Sequence, residues 1–151
     1  MSDFFIGLDL GQVQDYTALA IIERVFVTQG PSQYQVRHIQ RFELGTSYVN
    51  VIEKVYKLFS REELSEGAYL VTDLTGVGRP VYDLMIRQGL HPIGITITGG
   101  NESQRDDHGY RVPKRELVSC LQILFQSGRL KISKKLPYVE VLIQELFKFI
   151  R

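Results

Sequence analysis

The sequence predicts a mixed α/β fold, with a five-stranded sheet made of a three-strand antiparallel meander followed by parallel strands, and helices on both faces. Three observations carry this prediction. Three strand-like apolar runs joined by short turns open the chain, helices then alternate with strands, and two amphipathic helices close it. Two of the strands end in an aspartate that opens a glycine-bearing turn: Asp9 in Phe4-Phe5-Ile6-Gly7-Leu8-Asp9-Leu10-Gly11, and Asp73 in Tyr69-Leu70-Val71-Thr72-Asp73-Leu74-Thr75-Gly76-Val77-Gly78. At 151 residues, 44% of them hydrophobic, the chain has the material for one substantial core.

Residues 4 to 10 read as a buried strand, and residues 17 to 27, rich in Ile, Val, Leu and Ala, as a second. Gln29-Gly30-Pro31-Ser32 supplies turn chemistry before residues 34 to 42, whose first half alternates like a half-exposed strand. Thr46 or Ser47 can cap a helix in which Val51, Ile52, Val55, Tyr56, Leu58 and Phe59 recur at helical spacing. That helix leads to the strand ending at Asp73. After the Thr75-Gly76-Val77-Gly78 turn, Pro80 suits a first helical position, Val81, Leu84 and Met85 form a stripe, and Gly89 can end the helix. Residues 91 to 98 read as a further strand. Residues 99 to 110 hold glycines and acids with almost nothing apolar, which predicts a mobile loop. Pro113 starts a helix carrying Leu117, Val118, Leu121, Leu124 and Phe125 and closing near Gly128; a last helix follows Pro137 with Val139, Leu142, Ile143, Leu146 and Phe147.

The order β-β-β-α-β-α-β-α-α, with no internal repeat and no linker, assigns residues 1–151 to one domain. With the first and fourth strands adjacent and parallel, Asp9 and Asp73 stand side by side. This is the ribonuclease H-like architecture, inferred from topology.

Composition narrows the function. Lys and Arg number 18 against 17 Asp and Glu, so the chain is no polycation built to coat nucleic acid, and any basic surface must be local. The single cysteine, Cys120, excludes an internal disulfide framework and a cysteine-rich zinc site; its helix position predicts a core residue. No signal peptide and no run near the ~18 apolar residues of a membrane span is present, which predicts a soluble, cytoplasmic protein. No Gly-x-x-x-x-Gly-Lys-Ser/Thr pattern occurs, so the chain by itself is no P-loop motor.

A carboxylate ending a core strand is costly unless solvated, paired or bound to a cation, and two on adjacent strands make a divalent-metal site. Two-metal phosphodiester hydrolysis needs hard oxygen ligands holding two Mg²⁺ or Mn²⁺ ions roughly 3.5–4 Å apart. Asp9 is placed to bridge such ions and Asp73 to bind from the second strand. Asp15, after Gly11-Gln12-Val13-Gln14, can return as a direct or water-mediated ligand, with Thr17 and Thr75 shaping the floor. Lys114 and Arg115, at a helix start near this edge, together with Arg79 and Arg105, are the candidate phosphate contacts. Plainer readings stand beside these. Each aspartate can serve as a turn cap, Lys114 and Arg115 as an exposed helix start, Arg105-Asp106-Asp107-His108 as a solvated loop, and Lys131, Lys134 and Lys135 as a solvated basic group.

The chain resembles the C-terminal nuclease domain of phage large terminase subunits. The likeness runs from about Phe5 to the C-terminus, through Gly7-Leu8-Asp9-Leu10-Gly11 with Asp15-Tyr16-Thr17-Ala18-Leu19, Val71-Thr72-Asp73-Leu74-Thr75-Gly76-Val77-Gly78-Arg79-Pro80-Val81, Val112-Pro113-Lys114-Arg115-Glu116-Leu117-Val118 and Leu124-Phe125-Gln126-Ser127-Gly128-Arg129-Leu130. The resemblance implies a Mg²⁺- or Mn²⁺-dependent endonuclease, a hydrolase cutting concatemeric double-stranded DNA during phage or prophage DNA packaging, in the host cytoplasm. Its implied partners are the terminase ATPase domain, the portal and the small subunit.

Two departures from the family follow. The ATPase domain is absent from these residues, and the last aspartate is Asp107, whereas the family carries a further metal-binding aspartate on a closing helix. The chain thus reads as a nuclease domain truncated before that aspartate, with weak metal binding, about millimolar, and with either self-association through residues 138 to 150, where apolar surface lacks a cover, or disorder at the end. The competing readings are a Holliday-junction-resolvase-like nuclease, an actin-like nucleotide-binding unit, whose first strand ends similarly but which needs two such domains, and a catalytically inactive nucleic-acid- or partner-binding scaffold.

Overall fold

A computed structural model describes residues 2–12 and 14–150, the side chains of Phe149 and Ile150 excepted. Val13, in the expected turn after the first strand, and the last two side chains of the 138–150 stretch lie outside the described residues. Strands β1 (Ser2–Asp9), β2 (Ala18–Val25) and β3 (Gln33–Arg41) form the antiparallel meander. Strand β4 (Ala68–Asp73) runs parallel to β1, β5 (Ile93–Thr98) parallel to β4, and β7 (Gly109–Pro113) parallel to β5. Two short strands finish the edges: β6 (Gln104–Arg105), antiparallel to β7, and β8 (Leu130–Ile132), parallel to β3. The helices are α1 (Tyr48–Leu58), the single turn α2 (Glu62–Ser65), α3 (Gly78–Arg87), α4 (Lys114–Gln126) and α5 (Val139–Ile150).

Among the described residues the sheet has eight strands in the order β6-β7-β5-β4-β1-β2-β3-β8, not the five that periodicity predicts. The extra strands are two, three and five residues long, too short to show an apolar period. The stretch expected to be a mobile loop instead ends in a hairpin. Asp106 Oδ1 accepts from the backbone N–H groups of His108 at 2.8 Å and Gly109 at 2.9 Å, which turns the chain between β6 and β7. Gly109 has a φ of +151°, and a Cβ there would sit 2.1 Å from the Gly94 carbonyl oxygen, so only glycine lets β7 lie this close to β5.

Alternation in β1 decides which way its side chains face. Ile6 and Leu8 are buried, joining Leu19 and Ile21 of β2, Leu70 of β4, Val51, Ile52 and Val55 of α1, and Val81 and Met85 of α3 in one core. Gly7 and Asp9 therefore face the other way. The Ser47 hydroxyl caps α1 by accepting from Asn50 N–H at 3.1 Å. Both α3 and α4 close through paired backbone bonds at their ends, Leu90 N–H to the Met85 carbonyl and Arg129 N–H to the Leu124 carbonyl. Pro80 is the third residue of α3 rather than its first, because Gly78 already starts the helix. Cys120 is exposed, against the core placement expected of it: α4 has no fully buried residue, so its apolar side chains meet the rest of the fold only partially.

Thr72 is fully buried, and its hydroxyl has no hydrogen-bond partner among the described residues. Removing an unpaired buried hydroxyl relieves its desolvation penalty, so Thr72→Val is expected to raise unfolding free energy by about 1 kcal/mol. Urea denaturation checks this through a higher midpoint at unchanged slope; a midpoint at or below wild type would refute it.

Candidate metal centre

The parallel pairing of β1 with β4 puts Asp9 directly opposite Asp73. Their backbones are therefore roughly 4.8 Å apart, and both side chains leave the sheet on the face that the α1–α3 core does not occupy. Four parallel strands, β1, β4, β5 and β7, end at this edge, where open α/β sheets bind ligands.

Local and long-range hydrogen bonds together hold each turn. Asp73 Oδ1 accepts from Thr75 N–H at 2.9 Å, which orients the carboxylate and leaves Oδ2 for another partner. The Thr75 hydroxyl accepts from Ile97 N–H at 2.9 Å, and Leu74 N–H donates to the Ile95 carbonyl at 2.8 Å, tying this turn to β5. On the β1 side, Gly11 N–H donates to the buried Thr17 hydroxyl at 3.0 Å, while the Gly11 carbonyl accepts from the Tyr48 hydroxyl at 3.0 Å. Gln12 Nε2 donates to the Gly76 carbonyl at 3.2 Å and so joins the two turns beside the carboxylate pair. Thr17 and Thr75, expected to form a floor, act here as pins for the backbone.

Asp15 N–H bonds the Gln12 carbonyl at 2.8 Å, and the residue lines a cavity of about 290 Å³ with Thr17, Glu43 and Tyr48. Its charge still reaches the pair. Partial burial pushes the Asp9 carboxyl above the ordinary carboxylate value of 3.8, and the charges of Asp73 and Asp15 push it further. Crowded anions of this kind favour a bound cation. Among the described residues, however, no three His, Cys, Asp or Glu side chains form a cluster able to hold a metal. Asp9 and Asp73 fit as a two-carboxylate cradle for a hard cation.

Lys114 and Arg115 follow β7 directly and line a cavity of about 430 Å³ with Thr98, Gly99 and Gly100 at the same edge. Arg115 Nη2 also donates to the Asn101 carbonyl at 3.3 Å. Arg105 faces Tyr110 across the β6–β7 hairpin, in the register that continues through Ile95 to Asp73. Arg79 is exposed on α3, 3.9 Å from Asp83. Sequence reasoning passed over Gln12, Tyr48 and Tyr110, since a glutamine and two tyrosines carry no motif; only the fold brings them to this edge.

No protein-family model matches the sequence, and no curated protein matches it. Among solved structures, the large terminase of a thermophilic bacteriophage superposes with a TM-score of 0.63 at 7% identity, over 98% of this chain and 31% of that one. The human cytomegalovirus terminase nuclease domain, in a manganese-soaked form, superposes with a TM-score of 0.60 at 15% identity, over 99% of this chain and 76% of that one. The fold is that of a terminase nuclease domain. It is ribonuclease H-like, with the antiparallel meander and parallel strands that the sequence predicts, and the chain spans about a third of the length of the thermophilic phage terminase. Among the described residues no helix of this terminase-nuclease fold is long and apolar enough to cross a membrane.

The Asp9 environment predicts a pH effect. Because its folded pKa is raised, the folded chain holds this proton more readily than the unfolded chain, so the associated stability is present below 3.8 and is lost as pH rises through the raised value. In EDTA, wild type is expected to lose melting temperature over this window relative to Asp9→Asn, and Mn²⁺ to restore it above the window. Parallel melting curves for the two proteins across pH would refute the assignment.

Proposed function

We propose that residues 1–151 form the nuclease unit of a phage or prophage terminase large subunit, and that this unit hydrolyses double-stranded DNA at Asp9 and Asp73 with Mg²⁺ or Mn²⁺. The observation that carries the reading is the in-register carboxylate pair at the carboxyl ends of β1 and β4, within a terminase-nuclease fold. A bound two-ion site would neutralise phosphate charge and activate water. The chain's own part is to orient and to attract. Thr75 N–H fixes one oxygen of Asp73, Asp15 adds negative charge beside Asp9, and Lys114, Arg115, Arg79 and Arg105 are the cations offered to the DNA backbone. The ATPase domain, portal and small subunit are the partners this reading assigns in the intact system, acting in the host cytoplasm.

Cleavage of supercoiled plasmid tests it. Nicking that needs Mn²⁺ or Mg²⁺ and disappears in Asp9→Asn and Asp73→Asn supports a nuclease. Failure to cut, with no Mn²⁺ response in the spectra of either aspartate, supports an inactive binding scaffold, the reading favoured by the lack of a three-member cluster among the described residues.

Self-association through residues 138 to 150 belongs to the same proposal. Phe147 is 66% exposed and Val141 37%, while Val139 is buried, so α5 turns one apolar side inward and leaves another in water. A dimer by light scattering that Phe147→Ser returns to monomer is expected; a wild-type monomer at high concentration would count against it.

A further inference from the structure

We propose that Arg41 binds a backbone phosphate of the DNA strand on the β2–β3 side of the carboxylate pair, opposite Arg105, so that the strand crosses the sheet along one row of side chains. The inference rests on the nuclease reading above.

Register defines the row. Asp9 pairs with Asp73 and with Ala18, Ala18 with Arg41, Asp73 with Ile95, Ile95 with Tyr110, and Tyr110 with Arg105. Directly opposed residues share a face of a sheet. The two carboxylates therefore lie in a single line with an arginine at each end. At roughly 4.8 Å per strand, Arg41 starts about 10 Å from Asp9, and Arg105 about 14 Å from Asp73. Within this row Ala18, with its single methyl group, stands between Asp9 and Arg41, and the next row on the same face begins with Gly7 and Ala20. A Cβ added at Gly7 would meet nothing nearer than 4.0 Å, so the surface there is open.

The guanidinium of Arg41 is already oriented. It lies 4.8 Å from the Tyr16 ring centroid and 5.5 Å from that of Tyr138, and its ion pair with Glu145 is 3.8 Å long, with the Glu145 side chain 69% exposed. Two aromatic faces hold its plane while the long contact to a solvated carboxylate leaves its N–H fork open to competition. A phosphate oxygen pair is the ligand that matches such a fork. Tyr16 also follows Asp15 directly, so Arg41 could instead serve only to anchor that loop; the test separates the two roles.

Binding of a short duplex would be followed by fluorescence anisotropy in Ca²⁺ across a salt series, with plasmid nicking in Mn²⁺ run in parallel. The proteins are wild type, Arg41→Gln, Arg41→Lys and the Arg41→Gln/Arg105→Gln double variant. Arg41→Gln is expected to reduce the slope of log K against log salt by about 1, and the double variant by about 2. KM for nicking should rise roughly tenfold in Arg41→Gln, with kcat nearly unchanged, and Arg41→Lys should recover the slope. An unchanged slope in Arg41→Gln, while Asp9→Asn still abolishes cutting, overturns the inference and leaves the nuclease reading standing. A slope lost equally in Arg41→Lys overturns it in favour of loop anchoring. Wild type that neither binds nor cuts overturns both.

Discussion

Asp9→Asn should leave the chain folded and lower metal-dependent nicking by about 10³-fold or more, the scale of losing several kcal/mol of charge stabilisation. The substitution keeps the size of the side chain and removes the central charge of the group formed with Asp73 and Asp15. It also relieves the repulsion that raises the Asp9 carboxyl, so the variant should melt at or above wild type in EDTA while losing stabilisation by Mn²⁺. Loss of activity with gain of apo stability is the signature of a site whose strain is functional. Asp73→Asn should cost activity too, yet keep its turn, because an asparagine Oδ1 still accepts from Thr75 N–H. Wild-type nicking rates in Asp9→Asn would remove the carboxylate pair from the mechanism.

Gly11→Ala is expected to cost about 3 kcal/mol, which for a chain of this size lowers the melting temperature by about 10 °C. A Cβ on Gly11 would lie 2.2 Å from the Asp15 carbonyl oxygen and 2.6 Å from the Tyr16 carbonyl carbon. Both are backbone atoms, so the returning chain must move as a whole. That shift breaks the Gly11 bonds to Thr17 and Tyr48 and carries Asp15 away from Asp9. Gly76→Ala is the useful contrast, since its new Cβ meets the end of the Gln12 side chain, which can swing away, although the φ of +81° adds strain. Thermal melts with Mn²⁺ titration of both variants check this. A Gly11→Ala protein within about 1 kcal/mol of wild type would show that the loop relaxes freely.

Much of the fold was legible in the residues because its signals are short-range. The 3.6-residue recurrence of Val51, Ile52 and Val55, the Ser47 cap and the Gly89 and Gly128 stops are local chemistry, and each appears in the structure where the pattern puts it. The edge strands β6 and β8 were not legible. Two or three residues carry no period, and their pairing depends on a neighbour distant in sequence. Cys120 misled for a related reason: a stripe of apolar residues on α4 says that the helix has an inner side, not how closely anything packs against it.

The sequence by itself determined that Asp9 and Asp73 end core strands, since an apolar run closed by a carboxylate and a glycine turn is readable in a dozen residues. Only the tertiary structure decided that they share one register and one face, that Asp15 lies near enough to raise Asp9, and that Arg41 and Arg105 stand at the ends of the same row. The reason is physical. Strand propensity and turn chemistry act between neighbours in the chain, whereas register is set by hydrogen bonds between segments brought together by the burial of one shared core.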